Sequence, residues 1–202
     1  MELICLGDSL TFGYGVHRAQ CWTSLAEQKS GWTLLNCGIN GDTTGGMLVR
    51  LREFLSHSKG SSVERCFLLM GGSNDVFYTG SCTSAKENTA AMVHQLLAAG
   101  EIPIVAFGPG PAGGGYPEEW CSMANFPRAE ESIRAFYTWL ECFCRVFGLR
   151  MVDFRPDFLD SRAQPRRELY LDGLHPNAEG HRLMAERLVK MLSAMERGRT
   201  DV

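Results

Sequence analysis

Five short apolar runs constrain this chain most: Leu3–Leu6, Thr33–Asn36, Cys66–Met70, Ile102–Phe107 and Met151–Asp153, each separated from the next by a helix-length stretch. Apolar side chains stand at consecutive positions within a run, so both faces of each strand must be buried. A half-wet antiparallel sheet alternates instead. The pattern therefore predicts a parallel sheet covered on both sides, and strands that alternate with helices make a doubly wound α/β domain. Hydrophobic residues make up 45% of the 202 positions and charged residues 21%, enough apolar material for one core of ordinary size.

The helices carry their own signals. Ser84-Ala85-Lys86-Glu87 reads as a capping box, followed by Met92, Val93, Leu96 and Leu97 on one face and a stop at Gly100. Met47, Leu48, Leu51, Phe54 and Leu55 form a second stripe. A third, Ile133, Phe136, Tyr137, Leu140, Phe143 and Phe147, ends at Gly148. Asn177 is placed to cap a last helix bearing Leu183, Met184, Leu188, Met191 and Leu192. No internal repeat is present. One domain is expected over residues 1–195, with the small, charged tail 196–202 frayed.

Several function classes are excluded at this stage. A net charge of −3 leaves no basic footprint for nucleic acid, and no apolar run approaches the length of a membrane span. The chain starts Met1-Glu2 without a basic, cleavable leader, so a cytoplasmic location is expected. Eight cysteines are scattered without a C-x-x-C or a Cys/His spacing suited to zinc. They read as reduced core fillers, with no metal and no organic cofactor expected.

The chemistry lies at the strand ends. Gly7-Asp8-Ser9-Leu10 follows the first run, Cys37-Gly38-Ile39-Asn40-Gly41-Asp42-Thr43 the second, and Gly71-Gly72-Ser73-Asn74-Asp75 the third. Asp172-Gly173-Leu174-His175-Pro176 follows the fifth after a connecting stretch. In a parallel sheet all four converge on the carboxyl edge, where open α/β sheets bind ligands. Together they hold a hydroxyl nucleophile, an imidazole base, a carboxylate three residues before that base, a glycine N–H and a side-chain amide. Acyl transfer needs that set. Each block also has an ordinary reading: a helix cap at Ser9, a surface turn at Asp172-x-x-His175, an Asx turn at Asn74-Asp75. Ser73 does not sit in a G-x-S-x-G elbow, because position 75 is Asp. His181 falls inside the last helix with no partner at matching spacing and is read as exposed.

GDSL near the start, NCGINGDTT, GGSND and DGLHP, in that order from Leu6 to Pro176, resemble the four blocks of the GDSL/SGNH hydrolase superfamily. The resemblance implies a flavodoxin-like three-layer α/β/α sandwich with a five-stranded parallel sheet. It implies a Ser9, His175, Asp172 triad and an oxyanion hole from the Ser9 and Gly41 N–H groups and the Asn74 amide. The implied activity is serine esterase or acylhydrolase on small to medium acyl esters, because the chain is short and shows no extended apolar lid. A lysophospholipase, thioesterase or acyltransferase on the same triad, or a non-catalytic binding module, are the alternatives. The partner is a small ester: an acetylated sugar, a lysolipid or a simple ester. Asp8, Tyr116 and Trp120 are candidate substrate contacts. Tyr116 and Trp120 lie in a stretch, Gly108–Phe126, with five glycines and three prolines, which is either a selectivity element or a floppy surface loop.

Overall fold

The computed structural model describes residues 1–57 and 64–200. Strands β1 (Glu2–Gly7), β2 (Thr33–Gly38), β3 (Arg65–Met70), β4 (Ile102–Phe107) and β5 (Arg150–Asp153) form one parallel sheet in the order β2-β1-β3-β4-β5. The chain runs outward from β1 to β2, then returns across β1 to β3. The strand order therefore reverses between β1 and β3, and a crevice opens there at the carboxyl ends. The strands outrun the apolar segments at several ends. Glu2, Gly7, Cys37 and Gly38 all sit in register on the β1–β2 ladder, since backbone pairing and not side-chain polarity decides where a strand stops.

Alternation across the sheet explains the all-apolar runs. Leu3, Cys5, Cys66, Leu68, Met70, Ile104 and Ala106 face one layer, which contains α2 (Trp22–Ser30) and α8 (Ala178–Thr200). Ile4, Leu6, Phe67, Leu69, Val105 and Phe107 face the other, built from α3 (Thr44–His57), α5 (Thr83–Ala98) and α7 (Phe126–Val146). Three short helices complete the set: α1 (Ser9–Phe12), α4 (Ser73–Thr79) and α6 (Glu118–Met123). Successive residues of β1, β3 and β4 thus feed two separate cores, and the result is a three-layer α/β/α sandwich. The edge strands β2 and β5 depart from the expected burial of both faces, leaving Leu35 and Met151 exposed, because an edge strand has a neighbour on one side only. Among the described residues no helix is long and apolar enough to cross a membrane. All eight cysteines are free thiols, four of them buried.

Several helix expectations need correction. The Ser84–Glu87 capping box does not form: α5 starts at Thr83, and the Thr83 N–H is taken by the Ser81 hydroxyl at 3.2 Å. Leu97 and Phe147, assigned to apolar stripes, stand exposed near the last turns of α5 and α7. Asn177 does cap α8, accepting the N–H groups of Glu179 and Gly180 at 3.1 Å. That helix continues to Thr200 instead of fraying at 196, and Glu196 accepts the Trp32 indole N–H at 2.7 Å. Residues 201 and 202 of the expected tail lie outside the described residues.

The Gly108–Phe126 stretch is not a floppy loop. It contains α6 and is tied to the segment around His175. Ala112 donates to the Gly173 carbonyl at 2.8 Å, Arg167 to that of Gly113 at 2.7 Å, and Tyr170 to that of Gly110 at 3.0 Å. Gly173 has φ +78°, and a Cβ there would meet the Gly114 carbonyl oxygen at 2.3 Å, so the two segments approach only through a glycine.

His181 is also corrected. It is buried, not exposed, and its Nδ1 accepts the Trp22 N–H at 3.3 Å, joining α8 to the start of α2. Burial pushes its pKa down from 6.5 to about 4, so the folded protein holds it neutral. The sign follows from linkage. The unfolded chain protonates His181 near its ordinary value while the folded chain does not. The contribution is therefore fully present above pH 6.5 and is lost as pH falls toward 4, by up to about 1.4 kcal/mol per pH unit. Asp8, whose pKa burial raises to about 7, acts in the opposite sense over the same window. The readout is accordingly a difference between two proteins: denaturant unfolding of wild type and His181→Gln from pH 7 to pH 4. Their stability gap is expected to shift in favour of the variant as pH falls. A gap independent of pH would show that His181 is not the titrating group.

Candidate active site

Ser9 follows β1 by two residues, and its surroundings are local in origin. Asp8 caps α1 by accepting the Leu10 N–H at 2.9 Å, which makes Ser9 the first residue of that short helix. The Leu10 carbonyl is held by the Trp22 indole N–H at 2.9 Å, so α1 is anchored on α2. Ser9 Oγ lies 2.9 Å from His175 Nε2. His175 Nδ1 lies 2.8 Å from Asp172 Oδ2, while Asp172 Oδ1 accepts the N–H groups of His175 at 2.8 Å and Leu174 at 3.1 Å. Burial works against the Asp172 anion. The bonds from the His175 ring and from the two backbone N–H groups outweigh it and hold the carboxyl below its ordinary pKa. An ionised Asp172 accepts only, so it selects the Nδ1–H tautomer and leaves Nε2 free to accept the Ser9 proton.

Gly41 sits at φ +74° on the loop after β2, and Asn74 is in the first turn of α4 after β3. The Asn74 amide donates one N–H to the Asp42 carbonyl at 2.8 Å, which fixes its rotamer and leaves the second N–H to a ligand. Ser9, Gly41, Asn74 and His175 line one cavity of about 400 Å³ at the β1/β3 crevice. The remaining walls are mostly apolar and aromatic, including Tyr14, Phe77, Tyr78, Trp120 and Phe126. No permanently charged side chain lines it among the described residues.

The candidate substrate contacts separate. The Trp120 ring is 5.6 Å from that of His175, edge to face, and lines the cavity. Tyr116 does not line it. Its ring stacks at 3.9 Å on Phe126, which does, and its hydroxyl is bound to Glu130. Asp8 is 1% exposed and occupied as a cap, so it reaches no ligand in the cavity. Ser73 is buried and is absent from the cavity wall. Four aromatic walls escaped the sequence reading: Tyr14, whose ring is 4.4 Å from that of His175, and Phe77, Tyr78 and Phe126. Tyr14 had one local signal, its place between Gly13 and Gly15. The α4 pair had none, because a seven-residue helix is too short to show a face.

With this geometry in hand, the comparisons with known proteins are specific. The model of the GDSL-like lipase/acylhydrolase family matches residues 5–183. A protein of Escherichia coli, thioesterase 1/protease 1/lysophospholipase L1, is 25% identical over 196 residues, covering 96% of this chain and 84% of that one. An arylesterase of Vibrio mimicus is 26% identical over 190 residues, covering 92% and 84%. Among solved structures, a carbohydrate acetylesterase from Sinorhizobium meliloti superposes with a TM-score of 0.77 at 17% identity, covering 96% of this chain and 99% of that one.

Proposed function

Because the chain belongs to the GDSL-like lipase/acylhydrolase family and is a hydrolase, we propose that it is a serine esterase working through Ser9, His175 and Asp172. The observation that carries this reading is the continuous chain Ser9 Oγ, His175 Nε2, His175 Nδ1, Asp172 Oδ2, with links of 2.9 and 2.8 Å, opening on the cavity. His175 takes the Ser9 proton as Oγ attacks the ester carbonyl. The imidazolium is stabilised by Asp172. The Ser9 and Gly41 N–H groups and the free Asn74 N–H receive the developing oxyanion. His175 then protonates the leaving alcohol, and water repeats the sequence on the acyl-enzyme to release the acid.

The walls bear on the substrate. A largely apolar, aromatic cavity of this size accommodates an uncharged acyl group of small to medium length and offers no cation to a phosphate. Neutral esters are therefore favoured here over coenzyme thioesters and lysophospholipids, although relatives carry thioesterase and lysophospholipase in their names. The free thiols suit a reducing compartment, and a cytoplasmic site of action is part of this reading.

The test is a panel of acetyl, butyryl and octanoyl p-nitrophenyl esters, acetylated sugars, acyl-coenzyme A and lysophosphatidylcholine, in wild type and Trp120→Ala. Wild type is expected to favour the neutral short and medium esters. Trp120→Ala is expected to reorder the butyryl, octanoyl and sugar substrates while changing the acetyl ester least, since acetyl reaches only the groups at the carbonyl. A uniform fall across the panel would remove Trp120 from selectivity. A preference for the charged substrates would overturn the neutral-ester reading.

A further inference from the structure

Arg50, in the middle of α3, divides its guanidinium fork between two backbone carbonyls and the Asp42 carboxylate. Nη2 donates to the Gly7 carbonyl at 3.0 Å, two residues before Ser9. Nη1 donates to the Cys37 carbonyl at the end of β2. Nε donates to Asp42 Oδ2 at 3.1 Å, and Nη2 also contacts that oxygen. Both side chains are largely buried, Arg50 at 19% and Asp42 at 13% exposed. Asp42 adjoins Gly41, and its own carbonyl receives the Asn74 amide at 2.8 Å.

We infer that Arg50, paired with Asp42, is a positioning residue for the oxyanion hole, holding the Ser9, Gly41 and Asn74 donors in one fixed arrangement. The inference rests on the esterase reading above. Its logic is geometric. The three donors come from the ends of β1, β2 and β3, and each end could shift separately. Arg50 ties the β1 end to the β2 end directly. Through Asp42 it reaches the loop that carries Gly41 and the carbonyl that orients Asn74. Only a planar fork satisfies these directions together, which a lysine ammonium does not. Gly46 gives independent support: a Cβ there would lie 1.9 Å from Asp42 Oδ1, so the first turn of α3 leaves space for this carboxylate and no more. Displacing donors by a fraction of an ångström weakens the transition state more than the bound ester, because the oxyanion forms only in the former.

Five variants test this: Arg50→Met, Arg50→Lys, Gly46→Ala, Asn74→Ala and the double variant Arg50→Met/Asn74→Ala. Each is measured as kcat per active site, with sites counted by fluorophosphonate titration, alongside KM and thermal midpoint. Arg50→Met is expected to lower kcat per site by roughly 10–100-fold with KM changed by less than about threefold. Arg50→Lys should fall between it and wild type. Gly46→Ala, which leaves Arg50 in place but fills the space of the Asp42 carboxylate, should lower kcat in the same sense. In the Asn74→Ala background the Arg50→Met penalty should shrink, because one of the groups it positions is already gone. If kcat per site in Arg50→Met and Gly46→Ala stays within about twofold of wild type while only the thermal midpoint falls, the pair is structural and the inference fails. Should Arg50→Met not fold, Arg50→Lys and Gly46→Ala decide by the same criterion. Normal turnover in Ser9→Ala and Asn74→Ala would instead reject the esterase reading itself, a result distinct from a failure at Arg50 alone.

Discussion

Ser9→Ala is expected to lower kcat for ester hydrolysis by on the order of 10³ or more while the protein stays folded. The substitution removes one oxygen from the first position of α1. The helix keeps its Asp8 cap and its Trp22 anchor, and alanine is a good helix former, so little structural cost follows. What is lost is the acyl-enzyme. His175 then has only water to activate, and the remaining N–H donors can assist a carbonyl but cannot hold a covalent intermediate. Circular dichroism and a thermal melt beside the rate measurement separate loss of chemistry from loss of fold. Near-normal turnover in a folded Ser9→Ala would exclude it as nucleophile.

The second large effect falls on Asn74. Asn74→Ala is expected to reduce kcat by roughly 10²–10³ with KM nearly unchanged. One Asn74 amide hydrogen is spent on the Asp42 carbonyl, which leaves the other for a ligand in the cavity that Asn74 lines. A carbonyl oxygen in the ground state gains little from that second donor, whereas the oxyanion gains a charge-assisted bond. Steady-state kinetics on one neutral ester decide it. A change confined to KM would make Asn74 a ground-state contact and leave the oxyanion to the backbone donors.

The fold was readable because its signal is repeated. Five runs with apolar residues on both faces permit one kind of sheet, and the two buried clusters show why each residue of Ile4-Cys5-Leu6 had to be apolar. That Ser9, Gly41, Asn74 and His175 meet at one cavity, with Asp172 on His175, was also legible, since short turns concentrate their signal in a few adjacent positions. What failed depends on docking between distant segments. His181 looked exposed because its partner, the Trp22 N–H, is 159 residues away. Asp8 was read as a ligand contact, although it is buried at the start of α1 and is absent from the cavity wall. The capping box at Ser84 lost to Ser81, a competition among neighbouring hydroxyls that spacing alone does not rank. The aromatic walls came from α4, α7 and the Gly13–Gly15 turn, whose inward faces are set by tertiary packing rather than by periodicity.

The central claim is that one serine, at the end of β1, carries the acyl group. It is tested most directly by reacting the intact protein with a fluorophosphonate and locating the adduct by peptide mass spectrometry. Ser9 is the only serine described within reach of an imidazole that is itself held by a carboxylate, so the added mass is expected on the peptide containing Ser9, in step with loss of activity, and absent from Ser9→Ala. An adduct on Ser73 or any other serine, formed in step with inactivation and retained in Ser9→Ala, would contradict the account.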